Sequence, residues 1–239
     1  MGLGHVFARA LGAAGATVVS ADIDLASAEK TVEDIRLLGG KAASVAVEAM
    51  NAKVLEEHGR LDVLVSNAGI ASPADRIHDM PVEDWGRVNE VNTRGVFLCT
   101  KAVLPQMMVQ KKGSIISISS VACLGGISND LSAVAANYSA SKGVVATLTK
   151  QIAVEYGKEG VRCNAIAPGW HLGAQLGREA LPLSEADIAA MIGKLHELTP
   201  LNRTGDPEEL AGLLVYLASD AASFMTGQVI AHDGGWTVW

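Results

Sequence analysis

Short apolar runs alternate with longer helix-patterned segments along the whole chain, and this alternation restricts the fold more than any other feature. Runs such as Leu61–Val65 and Ser114–Ser119 are rich in β-branched residues and too short for helices. Segments such as Leu25–Leu38 and Val82–Gln110 are long enough for several helical turns. Strands that alternate with helices pair in parallel and are covered on both faces. The sequence therefore predicts an α/β fold with a doubly wound parallel sheet.

The chain fits one domain. It has 239 residues and no internal repeat, linker or low-complexity tract, so we expect a single domain over residues 1–239. A net charge of −7 and the lack of a Lys/Arg run argue against a nucleic-acid partner. No apolar run reaches the roughly 18 residues of a membrane span. Three scattered cysteines, Cys99, Cys123 and Cys163, favour reduced thiols and a cytoplasmic location.

Tyr138 and Lys142 place a phenol and an ammonium four residues apart in a helix-patterned segment. Side chains at this spacing lie on one helix face, with Cβ atoms about 5–6 Å apart. A neighbouring ammonium favours the charged form of an acid, so Lys142 is expected to lower the pKa of Tyr138. The pair could then serve as a general acid/base for an alcohol or carbonyl oxygen. Taken alone, it could equally be a solvated surface pair.

Gly2-Leu3-Gly4 opens the first predicted helix, and the strand Ala16–Ala21 that follows it ends at Asp22. Glycines at a helix start let a pyrophosphate approach backbone N–H groups at the positive helix end. An acidic residue about 20 positions on can bind the adenosine ribose hydroxyls of NAD, and its charge disfavours NADP. The alternative is that Asp22 is an ordinary turn or capping residue.

Together these motifs resemble the short-chain dehydrogenase/reductase family, a group of Rossmann-fold oxidoreductases that bind NAD(P). The similarity runs over nearly the whole chain. The matching segments are Gly2-Leu3-Gly4, Asp22, 61–69 (LDVLVSNAG), 91–95 (VNTRG), Ser119-Ser120, Tyr138 to Lys142, 164–169 (NAIAPG), Thr226-Gly227-Gln228 and Asp233-Gly234-Gly235.

The resemblance implies four catalytic residues. Tyr138 would be the general acid/base, and Lys142 would lower its pKa and bind nicotinamide-ribose hydroxyls. Ser120 would orient the substrate oxygen, whereas Ser119 would be a strand residue. Asn92 would interrupt its helix and hold a water that leads to Lys142; alternatively, its amide bonds its own helix backbone.

The resemblance also implies a cofactor site. Asn67, Ala68 and Gly69 would shape its adenine side, and Pro168 and Gly169 would form the wall beside the nicotinamide. The full expected set comprises Gly2, Leu3, Gly4, Asp22, Asn67, Ala68, Gly69, Tyr138, Lys142, Pro168 and Gly169. The scattered histidines predict no catalytic metal.

Further expectations concern residues after the Pro168-Gly169 turn. His171 could line the substrate mouth or lie at the surface. A substrate lid is expected at about 170–200, and its many leucines are consistent with an apolar or medium-sized carbonyl substrate.

Three departures from the family pattern stand out. The chain begins inside the glycine motif, so we expect an open position in the sheet beside Ala16–Ala21, explained by a mis-assigned start, a truncated chain or a rearranged sheet. The stretch between Gly40 and Gly59 is about ten residues short. The stretch from Ser120 to Tyr138 is about five residues longer than is common, and Ser128–Ala136 is expected to enlarge the loop over the substrate pocket.

Two functions remain open at this point. The first is an oxidoreductase that transfers a hydride between NAD(H) and a secondary alcohol or ketone. The second is a non-catalytic scaffold or sensor with impaired cofactor binding. The resemblance also implies a homotetramer or homodimer paired through Val82–Gln110 and Ala133–Tyr156. The apolar end Trp236–Trp239 is expected to be buried at another interface.

Overall fold

Six strands and eight α-helices alternate along the part of the chain that the computed structural model describes, which is residues 2–46, 50–128, 131, 134–172 and 185–239. The strands are β1 Thr17–Asp22, β2 Lys41–Ala46, β3 Val63–Ser66, β4 Gly113–Ile118, β5 Val161–Pro168 and β6 Val229–His232. The helices are α1 Leu3–Ala13, α2 Leu25–Leu37, α3 Met50–His58, α4 Val82–Asn89, α5 Gly95–Gln110, α6 Ala136–Tyr156, α7 Glu185–Leu198 and α8 Ala211–Ala218. Every strand pairing is parallel, as predicted.

Helices cover both faces of the sheet. Within β4, Ile115 packs into a buried cluster with side chains of α5 and α6, including Met107 and Ile152. The next residue, Ile116, packs on the opposite face with Phe7 of α1 and with leucines of α8. Successive strand residues point to opposite faces, so an apolar strand such as β4 needs a helical layer on each side. The doubly wound α/β architecture is therefore as expected.

The sheet is divided into two parts. β1 pairs with β2, while β3, β4, β5 and β6 form a separate four-stranded sheet in that order. Among the described residues no ladder joins β1 to β3, so the expected open position beside β1 is present. The carboxyl ends of β3, β4 and β5 meet at one edge because these strands are parallel and adjacent.

Two sequence expectations lie partly outside the described residues. In the extended 128–136 loop, Leu131 is buried and packs with Trp170 and Leu195. The loop therefore contacts the segment after the Pro168-Gly169 turn. Of the predicted lid at 170–200, residues 173–184 are outside, and α7 occupies much of the rest. None of the helices described is long and apolar enough to cross a membrane.

The predicted helix Val82–Gln110 is interrupted at Asn92. A π-helical turn, Glu90–Arg94, separates α4 from α5, whereas Pro105 lies inside α5. Single π-helical turns allow a side chain to bond outside its own helix and are frequent at functional sites.

The Asn92 side chain is fully buried and joins three segments. Its Oδ1 accepts a hydrogen bond from the Ile70 N–H at 2.8 Å, and its Nδ2 donates to the Ile70 carbonyl at 2.9 Å. Nδ2 also lies 3.0 Å from Ser141 Oγ on α6. The alternative that Asn92 bonds its own helix backbone is therefore wrong, since its partners lie on the β3–α4 connection and on α6.

Replacing Asn92 by Ala should destabilise the cofactor-free protein by at least about 1–3 kcal/mol, because Ile70 N–H and C=O lose their partners. Urea unfolding followed by circular dichroism measures this change. Asn89→Ala is the matched control, because Asn89 donates to the Trp85 carbonyl one turn back in its own helix, and it should change stability by less than about 0.5 kcal/mol. Equal losses in the two variants would contradict the role given to Asn92.

Candidate active site

Tyr138 and Lys142 lie near the start of α6 and face the carboxyl edge of the sheet. The Lys142 Nζ is 5.5 Å from the centre of the Tyr138 ring. Lys142 is only 4% exposed, and its Nζ donates to the carbonyl of Ile118, the last residue of β4, at 2.8 Å. The solvated-pair alternative is therefore wrong, because the ammonium is buried and anchored to the sheet.

The pKa of Tyr138 is not lowered, contrary to expectation. Burial raises the pKa of the phenol above its ordinary value, and a hydrogen bond with Ser120 opposes the shift. Burial likewise lowers the pKa of Lys142 to about 8. Both shifts disfavour the charged form, because loss of contact with water is the largest cause of each. At neutral pH the phenol is therefore protonated.

The two adjacent serines have different partners. Ser120 caps the short helical turn Val121–Cys123, where its Oγ accepts from the Ala122 N–H at 3.2 Å, and it also hydrogen-bonds Tyr138. Ser119 Oγ instead donates to the backbone carbonyl of Lys142 at 2.9 Å. The structure thus brings Ser120 to the phenol, and Ser119 braces α6 against β4.

Gly69 passes close to the buried ammonium. A Cβ added at Gly69 would lie 3.1 Å from Lys142 Nζ and 3.4 Å from Asn92 Oδ1. The absence of a side chain at this residue therefore helps the loop after β3 to approach both side chains. Asn92, Lys142 and the Asn67-Ala68-Gly69 loop converge, while the expected water between Asn92 and Lys142 stays a prediction.

The residues expected to bind the cofactor lie at this edge and on the neighbouring β1. A Cβ added at Gly4 would lie 2.7 Å from Asn67 Nδ2, so the start of α1 meets the loop after β3. Gly2 is the N-cap of α1 and provides no side-chain cap. The His5 N–H donates to the Gly2 carbonyl at 3.1 Å, so the N–H groups of Leu3 and Gly4 are the ones that could donate to an anion.

Asp22 and Pro168-Gly169, which are also expected to bind the cofactor, lie at the ends of two other strands. The Asp22 carboxylate lies at the exposed end of β1 and accepts from the Asp24 N–H at 3.0 Å. Gly169 follows β5, and a Cβ there would lie 2.7 Å from the Asp233 backbone. Bare helix N–H groups, close glycine approaches and an exposed terminal carboxylate are features that fit a dinucleotide.

Asn137 is a residue that the sequence reasoning missed. It is fully buried; its Nδ2 donates to Ser72 Oγ at 2.9 Å and to the Asp84 carbonyl at 3.2 Å. Its Oδ1 accepts from the Tyr138 N–H at 2.7 Å. Asn137 therefore fixes the start of α6, where Tyr138 lies. A polar residue directly before the tyrosine was the available signal.

Of the two alternatives for His171, the surface position is wrong, and a place at the substrate mouth stays a prediction. Its side chain is 4% exposed and lies against His232. Among the described residues no group of three or more His, Cys, Asp or Glu could hold a metal ion.

Comparison with known proteins agrees with this geometry. A family model described as enoyl-(acyl carrier protein) reductase matches residues 1–237. Cis-4-hydroxycyclohexanecarboxylate dehydrogenase of Sinomonas cyclohexanicum is 38% identical over 244 residues, which cover 99% of this chain and 92% of that protein.

Solved structures show the same similarity. A gluconate 5-dehydrogenase from Burkholderia cenocepacia, crystallised with NADP and tartrate, has a TM-score of 0.89 and 32% identity, and the match covers 100% of this chain and 92% of that one. A 7α-hydroxysteroid dehydrogenase complexed with NADH has a TM-score of 0.82 and 29% identity, with 98% and 90% covered. The chain therefore belongs to the short-chain dehydrogenase/reductase family of oxidoreductases.

Proposed function

We propose that this protein transfers a hydride between NAD(H) and a secondary alcohol or ketone, with Tyr138 as the general acid/base. The observation that carries the proposal is the convergence of Ser120, Tyr138 and Lys142 at the carboxyl edge of the sheet. The phenol bonds Ser120, and the ammonium is anchored on Ile118. When bound, the nicotinamide would supply or accept the hydride.

Each residue then has one physical task. Ser120 and Tyr138 hydrogen-bond the substrate oxygen, which fixes the reacting carbon. In ketone reduction the Tyr138 O–H donates its proton to that oxygen. The raised pKa keeps this proton in place at neutral pH, so the phenol enters the reaction as an acid. Lys142, charged below its pKa of about 8, binds ribose hydroxyls.

Tyr138→Phe should lower kcat for ketone reduction by about 10²–10⁴-fold, since the proton donor is lost while the ring volume is kept. Initial rates with NADH and a panel of ketones measure this, and the urea midpoint should stay unchanged. Tyr156→Phe, at the far end of α6, is the matched control and should keep full activity. Full activity of the Tyr138 variant would refute the assignment.

We infer that NAD is preferred over NADP, which the two cofactor-bound relatives leave open. The supporting observation is the Asp22 carboxylate at the exposed tip of β1. A phosphate on the adenosine ribose would be repelled there, whereas ribose hydroxyls could donate to the carboxylate.

Asp22→Asn should shift the ratio of NADPH to NADH affinity toward NADPH by about tenfold, equivalent to about 1.4 kcal/mol. The amide keeps an oxygen for the Asp24 N–H and removes the charge, so folding should be preserved. Fluorescence titration with each cofactor measures the ratio. Asp62→Asn is the control, because Asp62 lies just before β3 in an exposed pair with Arg60. An unchanged ratio in the Asp22 variant would contradict the preference.

The non-catalytic alternative is favoured by one observation, the divided sheet next to the expected pyrophosphate site. The same titrations separate the two functions. Failure of the wild type to bind NADH at millimolar concentration would favour a scaffold or sensor.

We further propose that the protein is a homotetramer or homodimer, paired through the helices α4, α5 and α6. Large apolar side chains on these helices are exposed in the single chain, including Trp85, Phe97, Leu98, Val144 and Val154. Exposed apolar patches of this kind mark association sites. Trp239 is also exposed, whereas Trp236 packs edge-on against Trp170.

Light scattering should give a mass two or four times 24.8 kDa. Val154→Arg should reduce that mass, because a charge would be buried in the paired face. Leu37→Arg, also an exposed apolar position but on α2, is the control and should leave the mass unchanged. A monomeric wild type would contradict the proposal.

A reducing location such as the cytoplasm is consistent with the free state of Cys99, Cys123 and Cys163. The substrate pocket is proposed to be partly apolar, since Trp170, which directly follows the Pro168-Gly169 turn, packs in a buried apolar cluster with Leu131 and Leu195.

A further inference from the structure

Two histidines that are 61 positions apart in sequence are hydrogen-bonded at the ends of β5 and β6. His171 Nε2 lies 3.1 Å from His232 Nδ1, and the ring centres are 5.2 Å apart. His171 is buried and His232 is partly buried. None of the catalytic steps above uses either ring.

The hydrogen bond that His171 Nδ1 makes determines which ring nitrogens of the pair carry protons. His171 Nδ1 lies 3.2 Å from the Gly169 carbonyl, which can only accept, so Nδ1 carries a hydrogen. In neutral His171 the Nε2 atom is then an acceptor, and His232 Nδ1 must donate to it. The hydrogen bonds therefore run in one direction, from His232 to His171 and on to the Gly169 carbonyl.

The acidic groups around the two histidines do little to stabilise a second positive charge on the pair, because they have other partners. Arg203 and Glu209 are held together by two hydrogen bonds of 2.7 and 2.8 Å, so the Glu209 carboxylate is already engaged. Asp233 accepts from Thr237 and from the Gly235 N–H. All five of these groups — His171, His232, Arg203, Glu209 and Asp233 — line one cavity of about 310 Å³.

Protonation of both rings would break the chain of hydrogen bonds. A single extra proton on the pair still leaves one N–H donor facing one lone pair between the rings, so the hydrogen bond is kept. A second proton on His171 Nε2 would point at the His232 Nδ1–H, and two cations would face each other. Burial lowers the pKa of His171, the hydrogen bond to the Gly169 carbonyl opposes that shift, and the neighbouring His232 lowers the pKa again, so this step needs a lower pH than an ordinary histidine does.

The His171 ring also packs against the backbone of Gly205. A Cβ added at Gly205 would lie 2.5 Å from His171 Cδ2, so the ring fills the space above that glycine. Gly205 donates its N–H to the Trp170 carbonyl at 2.9 Å and accepts from the Leu172 N–H at 3.1 Å. A displaced His171 ring would therefore move the 169–172 backbone.

We propose that the His171–His232 pair positions the Pro168-Gly169 turn for cofactor binding and releases it when both rings become protonated. The inference rests on the proposed function, because that function gives Gly169 its place beside the nicotinamide. His171 and His232 are positioning residues, since they act through the Gly169 carbonyl. Affinity for NADH should then fall as the pH falls below 6.5.

The test is the Kd for NADH, followed by nicotinamide fluorescence from pH 8 to pH 5, for the wild type and His232→Asn. The Asn amide can donate to neutral His171 Nε2, and after a flip its oxygen can accept from protonated Nε2. It therefore keeps the link without a second charge. The wild-type Kd should rise about tenfold over this range, a difference of about 1.4 kcal/mol, while the variant should match the wild type at pH 8 and change less than about threefold.

His5, in the first turn of α1, and Lys142, with its pKa of about 8, also change charge in this pH range. They do so in both proteins, so their effects cancel in the comparison. Equal pH dependence in the two proteins would overturn this inference and leave the proposed function intact. Loss of NADH binding by both at every pH would overturn the proposed function and this inference with it.

A measurement on the wild type covers the case in which the variant fails to fold. Long-range ¹H–¹⁵N spectra at pH 8 should show neutral His171 with its hydrogen on Nδ1. A hydrogen on Nε2 instead would overturn the inference.

Discussion

Lys142 is a cation held almost entirely away from water, and the geometry of the site depends on how the fold permits this. A buried ammonium is costly unless it is hydrogen-bonded. Here the Ile118 carbonyl at the end of β4 accepts one bond, and Gly69 leaves room for the side chain. An ammonium has three donors, so others remain for ribose hydroxyls or a water near Asn92. Burial nevertheless still disfavours the charged form, which lowers the pKa of Lys142 to about 8.

Much of the fold could be predicted because local signals agree with it. Apolar β-branched runs gave the strands, and left-handed glycines such as Gly39 and Gly160 end the segments before β2 and β5. The interruption at Asn92 came from the family resemblance and not from local propensity, since its cause is bonding to Ile70 and Ser141, which are 22 and 49 residues away. Such contacts leave no mark in a window of neighbouring residues.

The site was less predictable for the same reason. Helical spacing correctly placed Tyr138 and Lys142 on one face, but spacing gives no measure of burial. The direction of the Tyr138 pKa shift was therefore wrong, because desolvation depends on what covers the helix. The burial of His171 was left open for the same reason, since its partner His232 lies on a strand distant in sequence.

The divided sheet places the two halves of the proposed function on different parts of the fold. Asp22 belongs to the β1–β2 pair, whereas Ser120 and Lys142 contact the four-stranded sheet. Contact between the start of α1 and Asn67 is one of the links between these parts. A dinucleotide that reached from Asp22 to Lys142 would add a second link, and a ligand that binds only the folded state stabilises it. Cofactor binding and the rigidity of this sheet are therefore expected to be coupled.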